Sequence, residues 1–337
     1  MANQTNLNDF NQGERKTYPQ DWVSYNNAQT KEKQMFYNIV NELLDYIPTK
    51  EKPKTKGRPS LSERDMLFCS ILKVYSMFSS RRSISDLKFL EKMRYIEKAP
   101  HFNSVCNYIN NPSFEHYLKY LIQLSSLPLV QVEEKFAVDA SGFSSANHDK
   151  WVNVRLDKKA YKDFKKAHVM SGVYTNIITS VEVTDSNKHD SPYFPQLVNE
   201  TSANFGIKEV SADKAYISRD NLDVVSKVGG IPFIPFKKNS IHNSKGSYIW
   251  STMFVYFKTQ REEYMKHYHL RSNAESVFSM IKTKFGGYLK TRKDQAQINE
   301  VLLKCLCHNI CVLISEIFTL GIDVDFNKCA KFMSAQK

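Results

Sequence analysis

The chain changes texture at Pro128, and that change restricts what it can fold into. Before it, apolar residues recur at helical spacing. Met35, Ile39, Leu43 and Ile47 lie four apart, and further helices are expected up to Met77, over Ser83–Met93, near Asn103–Ile109 and from Asn111-Pro112 to Ser125. Ser60 and Glu63 have the spacing of a capping box opening the run to Met77. After Pro128, strand-like and helical segments alternate. Phe136-Ala137-Val138, the β-branched residues 168–184, Val210-Ser211-Ala212 and residues 231–236 read as strands, while 191–204, 218–227, 261–285 and 295–318 read as helices. The prolines of 231–236 place that strand at a sheet edge. The expected organisation is a disordered tail (1–30), an all-helical unit (31–127) with a basic linker (49–60), an α/β domain (132–320) and a C-terminal tail (321–337).

With 337 residues and 42% hydrophobic content, the chain can bury a substantial core. No run approaches 18 consecutive apolar residues and the N-terminus carries no apolar stretch, so no membrane span or secretion signal is expected, and the location is expected to be cytoplasmic. The net charge of +12 points to a polyanion, nucleic acid being the usual one, or to a basic surface that serves only solubility. Cations are dense in residues 51–100, 151–170 and 258–293; the last segment holds nine Lys and Arg against three acids. Six irregularly spaced cysteines read as reduced thiols. Cys305, Cys307, His308 and Cys311 point in different directions around an apolar helix, which suits buried thiols rather than zinc.

Two acids close short apolar strands, Asp139 and Asp213, where side chains leave the core and become accessible. A third, Glu275, lies in the helix expected over 261–285. At about 100° per residue, Tyr268, Arg271, Glu275 and Lys282 share one sector, and Leu270, Ala274, Val277 and Ile281 lie opposite. Taken alone, this is equally a solvated helix face with an Arg271–Glu275 ion pair.

The spacing Tyr268-x2-Arg271-x3-Glu275-x6-Lys282, read from YHLRSNAESVFSMIK, resembles the C-terminal signature of DDE transposases of bacterial and archaeal insertion sequences. FAVDASGFS around Asp139 and ADKAYIS around Asp213 resemble the first two catalytic blocks of that family, and Lys166 and His168 (KKAH) followed by His189-Asp190-Ser191 resemble its secondary motifs. The resemblance covers residues 57–318. It implies a ribonuclease H-like mixed sheet flanked by helices, preceded by an all-helical N-terminal DNA-binding domain. It also implies that Asp139, Asp213 and Glu275 are the catalytic residues and the ligands of Mg²⁺, for which Mn²⁺ may substitute, with two ions per site. Hard carboxylate oxygens suit such ions, which can serve the attacking and leaving oxygens of a displacement at phosphorus. The implied partner is double-stranded DNA, both element ends and target, held by a homodimer, with no small-molecule substrate. Tyr268, Arg271, Lys282, Lys166 and His168 are then expected to contact DNA.

Other basic and aromatic residues carry two readings each. Lys56-Gly57-Arg58-Pro59 is a minor-groove hook or an ordinary linker. Arg81-Arg82 begins a helix-turn-helix with Asn103, Ser104 and Asn107 on its reading face, or belongs to plain helical packing. Trp151 and Tyr161 stack on DNA or are simply packed. The 62 residues from Asp213 to Glu275 leave no room for the large β-rich insertion of some relatives. Two alternatives accompany the cut-and-paste reading: a transposase-derived DNA-binding protein without cleavage, and a nuclease of the same fold without strand transfer.

Overall fold

The structure, a computed structural model, describes residues 21–47, 61–145, 164–243 and 245–335. Five helices come first: α1 (Trp22–Leu44), α2 (Glu63–Tyr75), α3 (Ile84–Lys92), α4 (Phe102–Ile109) and α5 (Ser113–Ser126). The start of α1 corrects the expected tail over 1–30. Asp21 caps it, accepting from the N–H groups of Val23 and Ser24 at 3.1 Å each, and Ala28 is buried. The cap of α2 is Ser62 rather than Ser60; its Oγ accepts from the N–H of Asp65 at 3.4 Å.

The mixed sheet has six strands: β1 (Lys135–Ser145), β2 (Phe164–Gly172), β3 (Ile178–Asp185), β4 (Glu209–Ala212), β5 (Ile231–Phe233) and β6 (Tyr288–Leu289). Their order is β3-β2-β1-β4-β5, with β6 paired to the far end of β1. β2 is antiparallel to β1 and β3, whereas β4 and β6 run parallel to β1, and β5 parallel to β4. The proline-bearing β5 sits at the edge, where a missing N–H is tolerated. β1 does not stop at Asp139, as expected, but runs on through Ser-Gly-Phe-Ser-Ser because β2 continues to pair with it as far as Ser144.

The remaining helices are α6 (Phe194–Ser202), α7 (Arg219–Lys227), α8 (Tyr248–Thr259), α9 (Arg261–Tyr268), α10 (Ser272–Phe285), α11 (Asp294–Thr319) and α12 (Phe326–Ala335). The single helix expected over 261–285 is two, separated by a 3-10 turn at His269–Arg271, where Ser272 Oγ donates to the carbonyl of His269 at 2.9 Å. α8 was not anticipated. α12 lies where a C-terminal tail was expected and buries Phe326 and Met333.

α11 is the central rod. It is long and apolar enough to cross a membrane, yet 72% of its most apolar stretch is buried within the protein. α1, α2, α4 and α5 pack on it, as do α10, β2 and β3, so the N-terminal helices and the sheet share one hydrophobic core. Buried polar groups fix the register of this assembly. Asn309 brackets the backbone of Ile178, its Oδ1 accepting from the N–H at 2.9 Å and its Nδ2 donating to the carbonyl at 2.8 Å. The same amide donates to Ser125 Oγ of α5 at 3.1 Å. Cys305 and Cys307 are buried along α11, and burial pushes the Cys305 thiol up to about 12.

Candidate active site

The site begins with strand register. Val138 and Ala212 are the last partners between β1 and β4, so the next residue of each strand, Asp139 and Asp213, leaves the paired region side by side. β4 ends there and β1 continues, which opens one flank of β1 until β6 takes up Ser144. Each acid commits one oxygen locally. Asp139 Oδ1 accepts from the N–H of Ala140 at 2.9 Å, and Asp213 Oδ1 from that of Lys214 at 2.6 Å.

Glu275 reaches this place through α10. Ala274, Val277, Phe278, Ile281 and Phe285 bury one stripe of that helix. Asn273 anchors its first turn by donating to the carbonyl of Val173 at 3.0 Å, in the β2–β3 hairpin. The hairpin is in turn held by buried Glu133, which accepts from the N–H of Thr175 at 2.5 Å and that of Tyr174 at 3.2 Å. Gly172 permits this approach: a Cβ there would stand 2.2 Å from the Glu133 carboxyl carbon.

Arg271 joins the acids. Its Nη1 lies 3.2 Å from Asp139 Oδ2, and its Nη2 donates to Glu275 Oε1. Burial raises the Asp139 carboxyl above its ordinary range; the charges of Glu275 and Asp213 add to this, while the Ala140 N–H and Arg271 oppose it. Asp139 therefore feels both other acids.

The shared helix face partly survives the break in the helix. The Arg271 guanidinium stands 6.0 Å from the centre of the Tyr268 ring. Lys282 Nζ donates to Ser141 Oγ at 2.7 Å, two residues along β1 from Asp139, and lies over Phe143. Arg271 and Lys282 thus clasp alternate residues of one strand. Burial lowers the Lys282 ammonium from its ordinary value.

The other expected contacts fare differently. His168 is a correction: its side chain is fully buried, bonded through Nε2 to Thr184 Oγ1 at 2.8 Å and stacked on Tyr193, so it cannot reach DNA. Burial holds it neutral, down to about 4. Lys166 is largely covered and donates to Asp190 Oδ1 at 2.9 Å and to the carbonyl of Lys188 at 2.8 Å. Arg81 and Arg82 are exposed, over the rings of Phe102 and Phe78 respectively. Arg58, Trp151 and Tyr161 lie outside the described residues.

Tyr216 was overlooked, although it stands within the ADKAYIS block. Its ring is buried and its hydroxyl has no hydrogen-bond partner among the described residues. The phenol is held well above its ordinary range, first by burial and then by the charges of Asp190, Asp139 and Asp213. The residue is fixed by Asn221, whose Nδ2 donates to its carbonyl at 2.7 Å.

Among the described residues, no three His, Cys, Asp or Glu side chains stand close enough to hold an ion together. The expected convergence of the three acids on shared metal is therefore approached but not completed, since the Arg271 guanidinium stands between Asp139 and Glu275. The donor chemistry nevertheless fits a hard divalent cation: three carboxylates and an unpartnered buried phenol oxygen in one electrostatic neighbourhood.

The profile of the family described as "Transposase DDE domain" matches residues 131–310. A solved structure, the cryo-EM structure of the piggyBac transposase synaptic complex with hairpin DNA, is similar at a TM-score of 0.40 and 11% identity, over 90% of this chain and 76% of that one. No curated protein matches the sequence. The matched profile spans more than half of the residues and contains all three acids, and the chain belongs to the transposase DDE domain family.

Proposed function

We propose that this transposase binds the ends of its own insertion sequence and cuts and joins DNA at Asp139, Asp213 and Glu275, on a ribonuclease H-like sheet. The observation that carries the reading is the register of β1 and β4, which brings Asp139 and Asp213 together from positions 74 residues apart in the chain, with Glu275 joined to Asp139 through Arg271. The mixed sheet flanked by helices and the family membership support it further.

Mg²⁺, or Mn²⁺ in its place, would be held by the three carboxylates as a pair of ions; when bound, it would supply charge stabilisation to the attacking and leaving oxygens of an in-line displacement. The protein's own part is to position and release. Arg271 exchanges its carboxylate partners for a DNA phosphate, which its planar fork can also meet in bidentate fashion, and so frees Asp139 and Glu275. Lys282 and Tyr268 hold the neighbouring backbone. Water attacks phosphorus at the element end; the new P–O bond forms as the bond to the 3′ oxygen breaks, leaving a 3′-OH. That hydroxyl then attacks a target phosphodiester and displaces its 3′ oxygen. Two ends require two copies of the chain, hence a homodimer. The N-terminal helices, with Arg58, Arg81 and Arg82, read the end sequence.

The test is incubation of the protein with labelled element ends, target DNA and Mg²⁺. A nick leaving a 3′-OH, followed by a joined product, is expected. Nicking without joining favours a simple nuclease, and binding without nicking favours a non-cutting DNA-binding protein; either outcome contradicts the proposal.

A further inference from the structure

A groove of about 400 Å³ lies between the N-terminal helices and the segment that follows β6. Its lining includes Lys73, Asn107, Asn110, Lys290, Arg292 and Lys293, and none of its lining residues is acidic. Arg292 and Lys293 are exposed, and neither has a carboxylate partner among the described residues. Lys73 is largely buried beside Lys290, and the Lys290 ammonium is held below its ordinary value by burial first and by Lys73 second. Arg81 and Arg82 adjoin the lining residue Ser80. The charge of Glu300 opposes part of the repulsion between Lys73 and Lys290, and an anion in the groove would oppose more of it.

The basic wall is built rather than loose. Buried Glu300 of α11 accepts from the N–H groups of Lys290 at 3.0 Å and Thr291 at 2.9 Å. Buried Lys304, one turn on, donates to the carbonyls of Gly286 and Tyr288 at 2.8 Å each. Gly286 supplies the positive φ of 79° that ends α10 and turns the chain into this clamp. Lys290 Nζ donates to the carbonyl of Met77, tying this wall to the N-terminal one.

We propose that the groove grips the sugar-phosphate backbone of duplex DNA, at a position separate from the three acids. Arg292 and Lys293 pair with phosphates, and Asn107 and Asn110 offer amides to sugar or base edges. The proposal rests on the DNA-processing reading and adds a coupling to it. The wall follows β6, and β6 pairs with β1, the strand that carries Asp139. DNA seated in the groove is thereby held at a fixed distance from the acids.

Cys106 provides the readout, because it lines the groove and is exposed, whereas the other described cysteines are buried or partly covered. The probe is a short mixed-sequence DNA duplex. Duplex is expected to slow maleimide alkylation of Cys106, with Cys106→Ser supplying the background. Replacing both exposed cations, Arg292→Ala with Lys293→Ala, is expected to reduce the slope of log affinity against log salt by about 2. Duplex binding with unprotected Cys106 and an unchanged slope overturns the groove while leaving the cutting reading intact. Failure of the native protein to bind any duplex removes both. Protection by polyglutamate but not by duplex assigns the groove to an acidic protein and also overturns the proposal.

Discussion

Asp139 and Asp213 each directly follow one member of the register pair Val138–Ala212, the last rung between two parallel strands. Their proximity is a backbone property, set by the sheet and independent of side-chain rotamers. Replacement of either carboxylate by its amide should leave the fold unchanged.

Asp213→Asn is accordingly expected to retain duplex affinity while lowering cleavage by about 10³-fold, the scale of several kcal/mol of lost charge stabilisation. Gel-shift and nicking assays on one preparation check this. Cleavage within a few-fold of the native protein removes Asp213 from the chemistry.

Arg271 contacts both Asp139 and Glu275, and its guanidinium is the group placed to pass to a phosphate. Arg271→Ala is expected to lower cleavage by about 10²-fold, as for loss of one stabilising donor, and to flatten the salt dependence of binding by about 1. Arg271→Lys should restore the salt slope more fully than the rate, because an ammonium cannot donate in the bidentate manner. Equal rescue of both would contradict the role given to its planar fork.

How legible this was in the sequence depended on the kind of signal. Apolar runs marked β1 and β4, and with them both aspartates. The parallel pairing of those strands was not marked, since β4 is four residues long and pairing leaves no local pattern. The continuation of β1 was hidden in a polar Ser-Gly-Phe-Ser-Ser stretch. The break between α9 and α10 was invisible because Leu270 keeps the apolar period through the 3-10 turn. The start of α1 lay in Asn- and Gln-rich sequence, where a cap and one buried alanine replace the usual aliphatic stripe. His168 looked available for DNA because it follows two lysines, yet β2 is buried on both faces from Ala167 onward and Tyr193 stacks on the imidazole.

Buried polar pegs were likewise unreadable, and they carry a stability prediction. Asn309→Ala removes hydrogen bonds to Ile178 and Ser125 and strands their partners in the core. Urea unfolding should show a loss of about 2–4 kcal/mol. A loss below about 0.5 kcal/mol would mean that α11 does not fix the position of β3.

His308 predicts a pH dependence. Burial lowers it from 6.5 to about 4, and its Nε2 donates to the carbonyl of Asn176 at 2.9 Å. The neutral ring is the form that folding favours. Its contribution is complete above pH 6.5 and is lost as the pH falls towards 4, amounting to about 3 kcal/mol. The urea midpoint of the native protein should fall across this window more steeply than that of His308→Gln. Parallel curves would show that this histidine is not buried neutral.

The most direct test of the central claim is Mn²⁺ binding, followed by electron paramagnetic resonance, to the protein–duplex complex and to its Asp139→Asn, Asp213→Asn and Glu275→Gln variants. If the three carboxylates form one site, each substitution weakens Mn²⁺ binding by at least about tenfold, a loss of about 1.4 kcal/mol, while duplex affinity holds. Native Mn²⁺ affinity in any one of the three variants would show that the acids do not act together.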